Sequence, residues 1–176
     1  MAEKPDLNAP EDHLTGLDEQ FMEAVARMEK QDIDGAAEQF RRILQIEPRL
    51  AEPRIELSRI LIETRQIDEA EAEVREAIRI LENGGQWLEE IAEHQVQSVA
   101  YGLLAETLRM RAETDDVVFG DPNTWRAIVD ESHASFRKAR ELDPENSHAE
   151  YWASSFDVDS GENEHESENV EPTETT

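Results

Sequence analysis

Residues 31–48 read QDIDGAAEQFRRILQIEP, residues 65–82 read RQIDEAEAEVREAIRILE, and residues 127–144 read AIVDESHASFRKARELDP. The second copy begins 34 positions after the first, and the third 62 positions after the second. Laid in register, Ala36, Phe40 and Ile43 stand over Ala70, Val74 and Ala77, and over Ser132, Phe136 and Ala139. Apolar positions three and four apart share one face of an α-helix, so each copy is an amphipathic helix with a stripe to bury. One helical hairpin cannot bury such a stripe alone. Stacking similar hairpins buries it, and the sequence then repeats at the hairpin length.

The same periodicity extends outward from the copies. Phe21, Ala24, Val25 and Met28 predict a helix before the first copy, and Ile55, Ile60 and Leu61 around Leu57 predict one before the second. Polar breaks, EKQD at 29–32 and ETRQ at 63–66, separate the members of each pair and predict antiparallel neighbours. No stretch alternates at period two. Before the third copy, NGG at 83–85 interrupts the chain, and QWLEEIAEHQVQSVA then predicts one long helix from about 86 to 112. A longer connection, 112–126, follows; in it Asp121 is an N-cap and Pro122 the first turn of the last long helix. SHAEYWASSF at 147–156 predicts a capping helix whose Tyr151 and Trp152 seal the open end. The three tryptophans, Trp87, Trp125 and Trp152, are expected in core and cap packing.

The 34-residue period, the small residue of each first helix (Ala24, Ser58, Ala105), Phe40 and Phe136 in the second helices, and the closing Pro48 and Pro144 resemble the tetratricopeptide repeat. Glu23 departs from that pattern, standing where the repeat has leucine, and Glu82 stands where it has proline. The resemblance covers about 17–156. It implies an all-α fold, a short α-solenoid of antiparallel helix hairpins with a C-terminal capping helix. The repeats are placed at 17–50, 51–84 and an irregular 86–146, with the cap at 147–156. Residues 1–16 and 157–176 carry too little apolar surface to offset chain entropy and are expected to be disordered.

Composition narrows the partners. The 176 residues include 43 Asp and Glu against 17 Lys and Arg, a net charge of −26, so nucleic acid and anionic membrane are unexpected partners. Only three of the bases are lysine. Eight acids and no base fall in 157–176, but 17–156 still holds 31 acids against 16 bases. Such diffuse acidity fits solvation in a high-salt host better than a dedicated docking site; solubility and an acidic docking surface are the alternatives. No cysteine is present, so disulfides and thiolate metal sites are excluded. Neither a leader-like apolar run nor a membrane-length one occurs, which predicts a soluble, cytoplasmic protein.

Signs of chemistry are sparse. The five histidines, 13, 94, 133, 148 and 165, are scattered. Glu90 and His94 share a helix face, but HExxH is absent. DVDSGENE at 157–164 is oxygen-rich, yet its Gly161 falls one position early for a calcium loop. No phosphate-cradling glycine loop and no GxSxG elbow occur. No catalytic residue, metal or cofactor is therefore expected.

What the resemblance implies is a non-enzymatic adaptor that holds a partner peptide or helix in a groove lined by the first helices. By register the lining is Met22, Val25 and Glu29 in repeat 1, Glu56, Arg59 and Glu63 in repeat 2, and Leu103, Glu106 and Arg109 in repeat 3. That mixture suits a polar or mildly basic segment. The subfamily that clamps a chaperone's C-terminal carboxylate needs Lys, Asn and Arg where this chain has Phe21, Val25, Glu56, Val99 and Leu103. Chaperone-tail binding is therefore rejected. Two alternatives stand beside the adaptor: a small acidic secretion-type or assembly chaperone, and an acidic tail that engages a basic partner. The open edge of repeat 1 is a surface on which a second copy could pack. The irregular region 83–126 is where a specific function is expected.

Overall fold

The computed structural model describes residues 16–85 and 91–162, with side chains to residue 155. Among the described residues all regular structure is helical: α1 (Leu17–Glu29), α2 (Ile33–Ile46), α3 (Glu52–Glu63), α4 (Ile67–Glu82), α5 (Glu93–Ala112), a single turn α6 (Asp115–Val118), α7 (Pro122–Leu142) and α8 (Ser147–Glu162). They pack largely in chain order, α1 on α2, α2 on α3, α3 on α4 and α4 on α5, after which α5 pairs with α7 and α7 with α8. Helix α3 also touches α5, so first helices of successive hairpins meet.

The repeated stripe is the core. Ala36, Phe40, Ile43, Ala70, Val74, Ala77, Phe136 and Ala139 have no exposed surface, and Ser132 is 2% exposed. Burying each large side chain contributes on the order of 1.5–3 kcal/mol. The small positions of the first helices, Ala24, Ser58 and Ala105, are equally buried. Repeat 1 is thus in register despite Glu23. That carboxylate stays exposed and bridges α1 to α2 by accepting from Gln39 Nε2 at 3.2 Å.

Both polar breaks close the same way. Gln31 (φ 64°) and Arg65 (φ 62°) take the left-handed conformation. The next amides, Asp32 and Gln66, donate back to the Arg27 and Leu61 carbonyls at 2.9 and 2.8 Å. This is a Schellman closure, which satisfies helix-end carbonyls and reverses the chain. Helix α4 ends likewise at Gly84 (φ 70°), with the Gly85 amide on the Ile80 carbonyl at 2.8 Å.

The third hairpin differs. Helix α5 begins at Glu93, not near 86; Ala92 is extended (φ −68°, ψ 139°), and residues 86–90 lie outside the described residues. Residues 92–95 are exposed, and Val96 is the first buried residue of the helix. The connection after α5 holds α6, and Asp121 caps α7 as expected, accepting from the Asn123 amide at 3.2 Å with Pro122 in the first turn. Serines lock the pair: Ser98 Oγ donates to the Ala139 carbonyl at 2.8 Å and Ser132 Oγ to the Ala105 carbonyl at 2.7 Å.

At the C-terminal end α8 runs to Glu162, six residues past the expected cap and into the segment read as tail. Asn146 starts it, accepting from the Ala149 amide at 3.1 Å while its side-chain amide donates to Ser98 Oγ at 2.9 Å. Trp152 stacks on Phe136 with centroids 5.8 Å apart, but Tyr151 is 65% exposed and seals nothing. Trp125 is 43% exposed and is not a core residue, because it lies on the first turn of α7, beyond the stripe. Trp87, Glu90, residues 1–15 and residues 163–176 lie outside the described residues.

Candidate functional site

Two adjoining recesses run along the first helices. One, of about 200 Å³, has Phe21 and Val25 of α1, Ile55, Glu56 and Arg59 of α3, and Val96 and Val99 of α5 in its wall, together with Ile91 and the buried Glu52. The other, of about 260 Å³, is formed by Arg59, Val99, Gly102, Leu103, Glu106, Asn146 and His148. Arg59 and Val99 border both, so the recesses form one path from α1 across α3 and α5 to the start of α8.

Of the nine residues expected to line the groove, Val25, Glu56, Arg59, Leu103 and Glu106 fall on this path. Met22, Glu29, Glu63 and Arg109 line neither recess. Met22 is 56% exposed beside it. Arg109 bonds Glu113 Oε1 at 2.7 Å and lies 5.4 Å over the Trp152 ring, a cation–π contact that docks α8 on α5. Register alone missed Val96, Val99 and Gly102 on α5, and also Phe21, Glu52, Ile55, Ile91, Asn146 and His148. Val99, Gly102, Leu103 and Glu106 stand at i, i+3, i+4 and i+7, a single helix stripe that periodicity could have supplied.

The path has an apolar floor and charged rims. Arg59 Nε sits 3.4 Å from Glu56 Oε1, so the one arginine at its centre is already partly neutralised within the chain. His148 Nε2 approaches Glu106 Oε2 at 4.0 Å. Glu52, 4% exposed, lies in the first turn of α3, where the helix dipole favours a negative charge. Three carboxylates, Glu52, Glu56 and Glu106, thus border the path against one arginine, Arg59.

The second helices carry a different construction. Arg75 of α4 bonds both oxygens of Glu131 on α7 at 2.8 and 2.9 Å and Glu71 at 2.8 Å; Glu71 also takes Arg111 of α5. The Arg75 guanidinium holds the Glu131 carboxyl below its ordinary range. Tyr101 Oη donates to Glu82 Oε1 at 2.6 Å; burial, then this carboxylate, pushes the phenol up to about 12. A recess of about 280 Å³ beside these residues is bordered by paired charges, and its geometry is that of a helix-to-helix clamp. Among the described residues no group of three or more His, Asp or Glu could hold a metal ion, and no helix is long and apolar enough to cross a membrane.

A family model described as Tetratricopeptide repeat matches residues 27–89, which include the first Schellman turn, α2, α3 and α4. No curated protein matches the chain at a significant level.

Proposed function

We propose that this tetratricopeptide repeat protein is a non-enzymatic adaptor that holds a segment of a partner protein in the groove along α1, α3 and α5. The observation that carries the reading is the continuous path itself. Three first helices contribute apolar floor residues to it, and Arg59 and Val99 join its two recesses. An extended or helical segment could lay alternate apolar side chains into the two recesses while its polar groups meet the rims. With Arg59 and Glu56 paired, Glu106 on the rim favours a segment that is mildly basic.

The test places a charge at the junction. Val99→Asp introduces a carboxylate on a half-buried site between the recesses. Full-length protein and the variant are used to capture partners from the host's lysate in salt matching the host, and each candidate is then titrated as a purified protein. A direct partner whose affinity falls at least tenfold with Val99→Asp supports the groove. Partners that bind the variant as tightly as the parent overturn it.

A further inference from the structure

We infer that the tip of the third hairpin is a second docking surface, distinct from the groove, which lays its aromatic on the apolar face of a partner helix flanked by lysine or arginine. The surface is built from Phe119, Val118 and Trp125, which are 83%, 50% and 43% exposed. They fall within eight residues on the turn from α6 into α7, and α6 packs on α7.

The tip is ordered by its own bonds. Val117 is buried as its anchor. The Phe119 amide donates to the Asp115 carbonyl at 2.9 Å and the Gly120 amide to the Val117 carbonyl at 3.2 Å. A Cβ at Gly120 would stand 2.5 Å from the Asp116 carbonyl oxygen, so the turn requires glycine there. Asp121 then fixes the start of α7. An aromatic presented on a locked turn loses little freedom on docking, the condition under which one side chain can anchor an interface.

Charge selects the occupant. Glu113 is paired with Arg109 and Asp116 lies in the field of Arg111, which leaves Asp115 and Asp121 as the further acids of the tip against Arg126. A second copy would bring one acidic rim against another, and an anionic bilayer would be repelled in the same way. An apolar helix face flanked by basic side chains complements both features. The tip is also separate from the groove: the last α5 residue on the groove path is Glu106, about 9 Å of helix before Ala112 where α5 ends.

The absence of cysteine allows a local readout. In the full-length protein Arg126→Cys carries a polarity-sensitive dye at the tip. The probe is a synthetic amphipathic helix with leucines on one face and lysines on the other, compared with its glutamate counterpart. The expected result is a saturable dye shift with the lysine peptide and at least tenfold weaker binding of the glutamate peptide. Adding Phe119→Ser should weaken the lysine peptide at least tenfold with an unchanged melting temperature, while Val99→Asp should leave it unaltered. The inference is overturned if Phe119→Ser binds like its parent, or if Val99→Asp abolishes the shift. It is equally overturned if the dye responds to protein concentration alone, or to phosphatidylcholine vesicles but not to the peptide. Because Val99→Asp is read separately, loss of the groove reading leaves this one standing.

Discussion

The first two hairpins and the third share a core and differ in their turns. Helices α1 and α3, of 13 and 12 residues, both end in a Schellman closure, and the next helix begins two residues after the left-handed position, at Ile33 and Ile67. Helix α5, of 20 residues, ends without a left-handed residue, at Glu113 (φ −92°). Val129 holds the register of Ile33 and Ile67, yet α7 starts seven residues before it, at Pro122. Ser132, Phe136 and Ala139 are buried like their counterparts, whereas residues 121–127 are exposed throughout. Stacking is therefore set by the stripe, and reach by the turn. Two extra turns of α7 contribute almost nothing to the core and carry Trp125 outward, with Phe119 in the turn before them.

The sharpest test of that division is to cut on both sides of it. Phe40→Ala and Phe136→Ala each empty a fully buried site and should each cost about 3–5 kcal/mol in urea unfolding. Phe119→Ala, on the extension, should change stability by less than about 0.5 kcal/mol. A cost for Phe119→Ala comparable to that for Phe136→Ala would make the extension part of the core and erase the distinction.

The division also explains what could be read in advance. The all-α repeat fold, the register of the stripe and the Asp121–Pro122 start of α7 were legible, because amphipathic period and capping chemistry are local. The two polar breaks were legible as breaks, but not as Schellman turns: neither Gln31 nor Arg65 is the glycine that usually marks a left-handed position. The start of α5 was placed too early because QWLEEIAEH is helix-compatible in pattern, whereas Ala92 is extended and the helix begins at Glu93. Of the residues that register assigned to a groove, Val25, Glu56, Arg59, Leu103 and Glu106 border the two recesses, whereas Arg109 meets Trp152 across α8. That contact depends on how the last helix docks, which no spacing within α5 encodes.

Turn chemistry gives a prediction with opposite signs at matched positions. Arg65 occupies a conformation that costs a side chain about 1 kcal/mol relative to glycine, so Arg65→Gly should raise stability by roughly that amount. Gln31→Gly should behave alike. At the end of α5, Glu113 has right-handed geometry and bonds Arg109, so Glu113→Gly should lower stability by about 0.5–1 kcal/mol. Thermal melts of the three variants check this, and a stabilising Glu113→Gly would mean that the third turn closes as the others do. The caps of α2 and α7 are the control that should not separate the regions. Asp32 accepts from the Gly35 amide at 3.2 Å much as Asp121 does from Asn123, and Asp→Ala at either should cost about 1 kcal/mol.

The smallest expected effect lies at the junction of the regular and irregular parts, where Tyr101 of α5 meets Glu82 at the end of α4. The phenol ordinarily titrates at 10.0, and the folded chain holds it up to about 12, chiefly by burial and then by the neighbouring carboxylate. The fold thus prefers the protonated phenol. Its contribution is complete below pH 10 and is lost as pH rises through about 12. Tyr101→Phe should flatten the alkaline side of the stability curve and leave neutral pH nearly unchanged. Glu131 supplies the mirror case. Its carboxyl is depressed beside Arg75, so its contribution is present above the ordinary carboxylate value and is lost as pH falls through the folded one. Glu131→Gln should then reduce the acid-side loss, again modestly, because the pair is solvent-screened. If Tyr101→Phe leaves the alkaline limb intact while Glu131→Gln moves the acid limb, the polar part of the seam is carried by the α4–α7 charge pair, beside the apolar packing of α5 on α3 and α4. The tyrosine would then be a surface residue that happens to lie at the seam.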